Sequence, residues 1–311
     1  MANALINVPI PRTVGDADGQ VLTNAATIQN RGVEILLAWK KRVSETFTYS
    51  VGGNVTFNDN KVLALNGGRA IRGGGIGAAQ GFTTLTDNGY PVGAFFVLKT
   101  IGVFNTADEV NQYTNAEGKI IQPTAKPGDF IYRDENEDGV IDDEDRVFSG
   151  SYQPVAYFGL NGSVTVRNFD VSIDFYGNVG NEVYNGKKAV KVDGRDNVEK
   201  EVVFSRWTAG SRSQTEPAAN TGNQLASSYF VESGSFVRIN NLTVGYTFPV
   251  ATLSKMKITA LRAFATSQNL FTLKKYSGFT AELPGDPLNS GIELSAYPTT
   301  RTVALGITVG F

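Results

Sequence analysis

The sequence predicts an all-β chain, an antiparallel transmembrane β-barrel section with long external loops and short periplasmic turns. Three observations lead there: apolar and polar residues alternate with period two, the strands run about 10 to 13 residues against a usual 5 or 6, and very short turns alternate with long loops rich in Gly, Asn and Asp. Alternation alone fits a soluble sandwich with one face in its core equally well. Strand length and the short-turn, long-loop asymmetry favour the barrel, as do aromatic residues at strand ends.

Taken in order, strands are expected near 1–10, 30–43, 46–58, 155–166, 168–177, 236–248, 257–269 and 301–311. Over 47–57 the odd positions are Phe47, Tyr49, Val51, Gly53, Val55 and Phe57, and the even ones are Thr48, Ser50, Gly52, Asn54 and Thr56. Phe169, Val171, Ile173 and Phe175 alternate in the same way with Asp170, Ser172, Asp174 and Tyr176. So do Leu242, Val244, Tyr246 and Phe248, and finally Val303, Leu305, Ile307, Val309 and Phe311. Short turns are expected at 43–45 and 167–168 and a modest one at 249–255, against long loops at 11–28, 59–154, 178–235 and 271–300. This parity puts the C-terminus on the short-turn side. It assigns the extended segment 91–104 to the external loop, paired with 129–133, because a further full span would break the alternation. Helix signals are confined to Thr106-x-x-Glu109, which resembles a capping box, and to 197–207.

Composition narrows the chemistry. The chain has no His and no Cys, which excludes His- or Cys-based nucleophile pairs, iron–sulfur clusters and His- or Cys-ligated zinc, and leaves oxygen-ligated calcium or magnesium. A net charge of -2 with dispersed basic residues argues against nucleic-acid binding. The longest nearly unbroken apolar run, 92–98, is far too short for a membrane helix, which says nothing against a barrel. Residues 1–12 carry no secretory signal pattern, so an exported protein would need a longer precursor, and Met1 reads as an internal start or a truncated reading frame.

The sharpest motif is DENEDGVIDDED at 134–145. Calcium takes six to eight hard oxygens, and in such a loop positions 1, 3, 5, 7 and 12 supply them while Gly at position 6 allows the sharp reversal. Those positions are Asp134, Asn136, Asp138, the Val140 carbonyl and Asp145, with Asp142 at position 9 acting directly or through water, around Gly139. A structural Ca2+ ion is expected, in a loop without flanking helices that lies in the long external loop 105–154. The glycines of 72–78 match G-x-G-x-x-A, but no helix is expected after them, so they read as a flexible external loop and not as a dinucleotide fingerprint. Asp170 and Asp174 stand about 13 Å apart along one strand, too far for a glycosidase pair, and read as lumen-facing carboxylates. No enzymatic activity is expected.

With strands and acidic loop placed, the chain resembles the C-terminal part of SusC/RagA-type TonB-dependent outer-membrane transporters. The matching stretches are 5–11 (LINVPIP), 29–37 (QNRGVEILL), 89–93 (GYPVG), 128–150 with the acidic loop, 157–185, 206–208 (RWT), 236–249 (FVRINNLTVGYTFP), 261–270 (LRAFATSQNL) and the terminal strand. The resemblance implies a barrel of about 22 strands with a plugged lumen, of which residues 1–311 would supply about the last eight. It further implies a cell outer membrane location, a SusD-like surface lipoprotein as lid, and a TonB complex acting through the missing N-terminal region. The cargo would be glycan or peptide. The competing reading is a soluble secreted calcium-stabilised β-rich binding module of adhesin or lectin type, which should interrupt the apolar strand faces with charged residues.

Overall fold

A computed structural model describes residues 4–9, 20–65, 69–77, 80–192, 194, 197–219, 224–253, 258–283, 285, 287–294 and 296–311. Along the chain, β1 (Ala4–Pro9), β2 (Gln20–Ser44) and β3 (Phe47–Leu65) come first. A first excursion then carries β4 (Ile71–Gly73), β5 (Thr84–Thr86), β6 (Ala94–Leu98), β7 (Thr100–Val103), α1 (Ala107–Gln112), β8 (Phe130–Tyr132) and β9 (Arg146–Phe148). The hairpin β10 (Ala156–Val166) and β11 (Phe169–Val179) leads into a second excursion with β12 (Glu182–Tyr184), α2 (Gly186–Lys191), α3 (Lys200–Ser205) and β13 (Val231–Ser233). The chain closes with β14 (Phe236–Thr247), α4 (Val250–Leu253), β15 (Ala260–Lys274), a third excursion and β16 (Thr302–Gly310).

Eight of these strands form one sheet in the order β1-β2-β3-β10-β11-β14-β15-β16, antiparallel throughout. Because register preserves the period-two pattern, the apolar positions align into rows across the sheet. One row runs Trp39, Val51, Gly162, Ile173, Leu242, Ser267, Val303, and the next runs Lys41, Tyr49, Val164, Val171, Val244, Ala265, Leu305. Among the described residues no layer packs on this face: Leu37 is 73% exposed and Leu305 84%. Aromatics bound it at both ends, with Phe47, Phe169 and Tyr246 by the short turns and Phe57 and Phe158 by the excursions. Phe47 and Phe57 are ten residues apart, about 33 Å along a strand, which a tilt near 40° converts to roughly the 25 Å apolar band of an outer-membrane barrel.

The short-turn rim is laced together. Arg167 N–H donates to Thr46 O at 2.6 Å, and Asn168 O accepts from Thr247 N–H at 2.8 Å. At the opposite end β2 and β3 continue well past their neighbours. The loop expected at 11–28 is therefore corrected from Gln20 onward, where β2 already runs, and β3 extends to Leu65 instead of ending near 58; residues 10–19 lie outside the described residues. The extension persists because the first excursion shields it. Val62 exchanges backbone hydrogen bonds with Gly89 and Tyr90, Asn60 Oδ1 accepts from Val92 N–H at 2.8 Å, and Ala26, Val62 and Leu65 are buried against Ile71 and Val92. The segment 91–104 is not a further strand of the eight-stranded sheet: it is split into β6 and β7, and β7 pairs with β8, within the expected 129–133 partner. Thr106 Oγ1 caps α1 by accepting from Glu109 N–H, while Glu109 reaches Asn105 N–H instead of closing the box.

The buried core lies in the cap that the excursions build beyond the sheet. Phe95, Val97, Phe130 and Tyr132 of the first excursion pack with Tyr184, Ala226 and Phe230 of the second. Tyr276, Ala281 and Leu283 of the third pack with Val183 and Phe236. The glycine-rich segment 72–78 is docked rather than free: β4 pairs with β5, and a Cβ at Gly73 would stand 2.6 Å from the Leu288 carbonyl oxygen. Ala78 lies outside the described residues.

Candidate functional site

The face opposite the apolar rows is small and polar, and its hydroxyls and amides pair across strands. Ser50 Oγ and Ser163 Oγ are 2.7 Å apart, and Thr243 and Thr266 hydroxyls 2.8 Å. Near the cap this face turns aromatic. Tyr157 sits between Thr56 and Asn178 in register, and Tyr176 between Gly159 and Arg238. Together with Tyr152, Glu282 and Leu283 they line a cavity of about 380 Å³. Tyr152 is fixed there because its hydroxyl donates to Leu283 O at 3.0 Å and accepts from Leu283 N–H at 2.7 Å. Burial raises its phenol pKa, partly offset by that backbone contact. Gly291 makes room for it: φ is +81° and a Cβ would lie 2.6 Å from Tyr152 Cβ.

Arg238 marks the boundary with a second cavity of about 260 Å³ that also carries Lys274 and Arg301. Buried Arg238 binds Glu282 at 2.6 Å and donates through Nε to Thr272 Oγ1 at 3.0 Å. One cavity is thus neutral and aromatic and its neighbour cationic. A larger concavity of about 670 Å³ lies on the outward face, where Gly53 leaves a notch among Leu37, Trp39, Val51 and Leu160. Its lining is apolar, which suits lipid chains rather than a polar cargo.

Two carboxylates hold the third excursion: Glu293 closes it on itself, and Glu232 of β13 ties it to the second excursion. Glu293, buried at 1% exposure, accepts from the Tyr276 hydroxyl and from Phe279 N–H. Glu232 accepts from Ser277 N–H at 2.8 Å and from Asn185 Nδ2 at 3.0 Å. Burial, reinforced by Glu293, pushes the Tyr276 phenol pKa well up, so Tyr276 stays a donor.

The acidic loop folds around its own carboxylates. Asp145 is fully buried, Oδ1 accepting from Glu135 N–H at 2.8 Å and Oδ2 from Asp142 N–H at 2.9 Å. Asp134 Oδ2 accepts from Gly139 N–H at 2.8 Å, while Asp134 Oδ1 is buried with no hydrogen-bond partner. Asn136 and Asp138 face one another at 3.1 Å, Val140 N–H donates to Asp138 Oδ1, and Asp142 caps a 3-10 turn over Asp143–Asp145. Gly139 has φ +80°. Among the described residues no three acidic side chains converge into a cation-holding group.

Asp170 and Asp174 both lie on the inner face and do not form a pair with one another: Asp170 binds Arg262, and Asp174 accepts from Asn241 Nδ2 at 3.5 Å. Tyr90 and Trp207 serve as packing anchors, Tyr90 stacked on Phe148 and Trp207 Nε1 donating to Asn105 Oδ1 at 3.0 Å. The sequence reading passed over the Tyr157, Tyr176 and Asn178 cluster. The one available signal was an aromatic residue, Tyr176, on the polar phase of a strand.

No protein-family model matches the chain. TonB-dependent receptor P26 of Formosa agariphila is 27% identical over 319 residues, which cover 99% of this chain and 31% of that protein. TonB-dependent receptor SusC of Bacteroides thetaiotaomicron is 26% identical over 303 residues, 94% of this chain and 27% of that protein. Among solved structures, a chain of the RagAB peptide transporter superposes with a TM-score of 0.74 at 18% identity over 99% of this chain and 32% of that one, which shows a shared fold. The chain thus spans about a third of the length of the curated relatives it matches. With the aligned apolar face, the polar inner face and these matches together, the chain is a relative of the SusC/RagA-type TonB-dependent receptors and has the antiparallel strand meander of their barrel.

Proposed function

We propose that this chain is a section of an outer-membrane TonB-dependent transporter that imports oligomeric nutrients, glycans or peptides. In this reading a SusD-like surface lipoprotein lids the cap, a TonB complex supplies energy through the part of the receptor outside this chain, and the chain itself performs no catalysis. The carrying observation is the sheet's two faces: largely apolar rows, interrupted at Lys41 and Ser267 and bounded by aromatics, on one side, paired small polar residues on the other. A soluble module would leave those apolar rows in water, a patch far larger than monomers tolerate. The test uses the full-length receptor in its own cell. It should fractionate with the outer membrane and co-purify with a surface lipoprotein, and its deletion should abolish uptake of one class of labelled oligosaccharide or oligopeptide. Recovery of the receptor from the soluble fraction, or unchanged uptake of both classes, would overturn the reading.

The acidic loop is assigned a structural calcium ion on the same basis. The ligand spacing, the all-oxygen donor set and the unpartnered buried Asp134 Oδ1 support it. Since the carboxylates now cap backbone N–H groups, the ion would have to gather Asp134, Asp138 and Asp145, so its binding should tighten the loop.

A further inference from the structure

We infer that the notch at Gly53 on the outward face, with Lys41 and Tyr49 on its short-turn side, binds one glycerophospholipid of the periplasmic leaflet, an acyl chain lying in the notch and the phosphate on the Lys41 ammonium. This rests on the outer-membrane reading above. The notch encloses about 670 Å³ between Leu37, Trp39, Val51, Phe158 and Leu160, inside the range of about 300–1,000 Å³ that ligand pockets occupy. Its floor is backbone. Gly53 stands opposite Leu37 on one side and Leu160 on the other, and a Cβ there would lie 2.7 Å from Leu160 Cδ2. A glycine inside a strand forgoes side-chain packing, and here it leaves a trough that opens onto the lipid-facing surface.

Lys41 is the second, independent observation. It is the one charged residue of the two apolar rows, it is exposed, and it makes no ion pair among the described residues. A charge on a lipid-facing strand is costly unless the aliphatic stem carries it to a headgroup. Phe47 marks the short-turn girdle, and Lys41 stands level with Tyr49, two residues further along β3. At a tilt near 40° that is about 5 Å deeper, a depth a lysine stem spans. The Tyr49 hydroxyl, directly across from Lys41, offers a second donor to the same phosphate. Gly53 lies six residues from Phe47, about 20 Å along the strand and about 15 Å in depth, which is the thickness of one leaflet's hydrocarbon. A chain anchored at Lys41 therefore ends in the notch. At the opposite end of the face Arg31 is already paired with Asp59 at 3.6 Å, which favours the periplasmic leaflet. A second copy docked through the same rows would bring Lys41 no carboxylate, since those rows contain none, whereas a phospholipid brings both phosphate and chain.

The experiment takes the full-length receptor, delipidated in maltoside detergent, and titrates it with dioleoylphosphatidylglycerol under native mass spectrometry. A tightly held lipid is expected. Gly53→Leu should weaken it about tenfold by filling the trough, and Lys41→Gln roughly five-fold by removing the phosphate contact. Ala265→Leu, a comparable change on the same face but remote from the notch, should leave it unchanged. Phosphatidylglycerol with brominated chains should quench Trp39, read as the difference between the wild-type receptor and Trp39→Phe. Outer-membrane levels of each variant report insertion separately, and if Gly53→Leu does not insert, Lys41→Gln and the Trp39 quenching decide. Equal affinity in wild type, Gly53→Leu and Lys41→Gln, or absence of Trp39 quenching, would overturn the site while leaving transport intact. Loss in Gly53→Leu with Lys41→Gln unaffected would overturn the phosphate contact. Disulfide cross-linking of Trp39→Cys between two receptor copies would assign the notch to a second copy instead. Failure of the outer-membrane reading shows separately, as receptor in the soluble fraction.

Discussion

Arg262 on β15 reaches across β14 to Asp170 on β11, its Nε donating to Oδ1 at 3.1 Å and its terminal nitrogen lying 2.5 Å from Oδ2. The pair passes over Gly245, where a Cβ would stand 2.3 Å from the Arg262 guanidinium and 2.6 Å from the carboxylate. Three neighbouring strands are thereby tied on the inner face. Gly245→Val is expected to cost about 1–3 kcal/mol by overpacking. Asp170→Asn should cost no more than about 1 kcal/mol, since both side chains are about a third exposed. Urea titration of the refolded full-length receptor measures both, and an unchanged midpoint for Gly245→Val would show that the strands are not bridged over that position.

Calcium titration of the full-length receptor should increase hydrogen-exchange protection across 134–145 at millimolar concentration. Asp138→Ala should remove that response while the apo loop keeps its fold, because Asp138 holds only local contacts. Asp145→Ala should unfold the loop with or without the ion, since both its oxygens hold backbone N–H groups. Gly139→Val should cost about 1–3 kcal/mol from the left-handed φ of +80° and the crowding of Asn115. Identical protection with calcium and with chelator would remove the ion from the account.

Leu305→Lys puts a charge on the outward face of β16 and should lower outer-membrane levels of the full-length receptor, at a cost of about 2–4 kcal/mol near the midplane. Ala304→Lys, one residue away on the inner face, should be tolerated. Deleting Phe311, an exposed terminal aromatic by the short-turn rim, should slow assembly. Equal membrane levels for the two lysine variants would mean that the faces are not lipid and lumen.

Two carboxylates in the cap give opposite pH dependences. Burial holds Glu182 above the ordinary carboxylate range, so its folded form binds a proton more readily than the unfolded chain. Its penalty is absent at acid pH and grows as pH rises through the raised folded value, and Glu182→Gln should stabilise the cap at neutral pH only. For Glu199 burial also raises the pKa, but the hydrogen bond and charge of Lys187, 2.6 Å away, outweigh it and leave a net depression. Its contribution is present above the unfolded carboxylate pKa and is lost as pH falls through the lower folded value. Hydrogen exchange over 186–205 should therefore loosen in acid, and Lys187→Met should abolish that dependence.

The sequence by itself determined the strand periodicity, the two faces and the sidedness of turns and loops. A strand exposes alternate residues to opposite environments, so Phe47 to Phe57 must record both neighbours, and the turn at 167–168 needs only local geometry. The capping role of Thr106 and the helix near 197–207 were legible for the same reason. Only the tertiary structure decided where β2 and β3 end, because their outer halves persist on contacts with Tyr90 and Val92 that no local pattern encodes. Likewise Arg262 and Asp170 are 92 residues apart and meet only when β11, β14 and β15 pair. Such sites arise from pairing between distant segments, whose register and packing are set by the whole sheet and its cap rather than by the residues on either side.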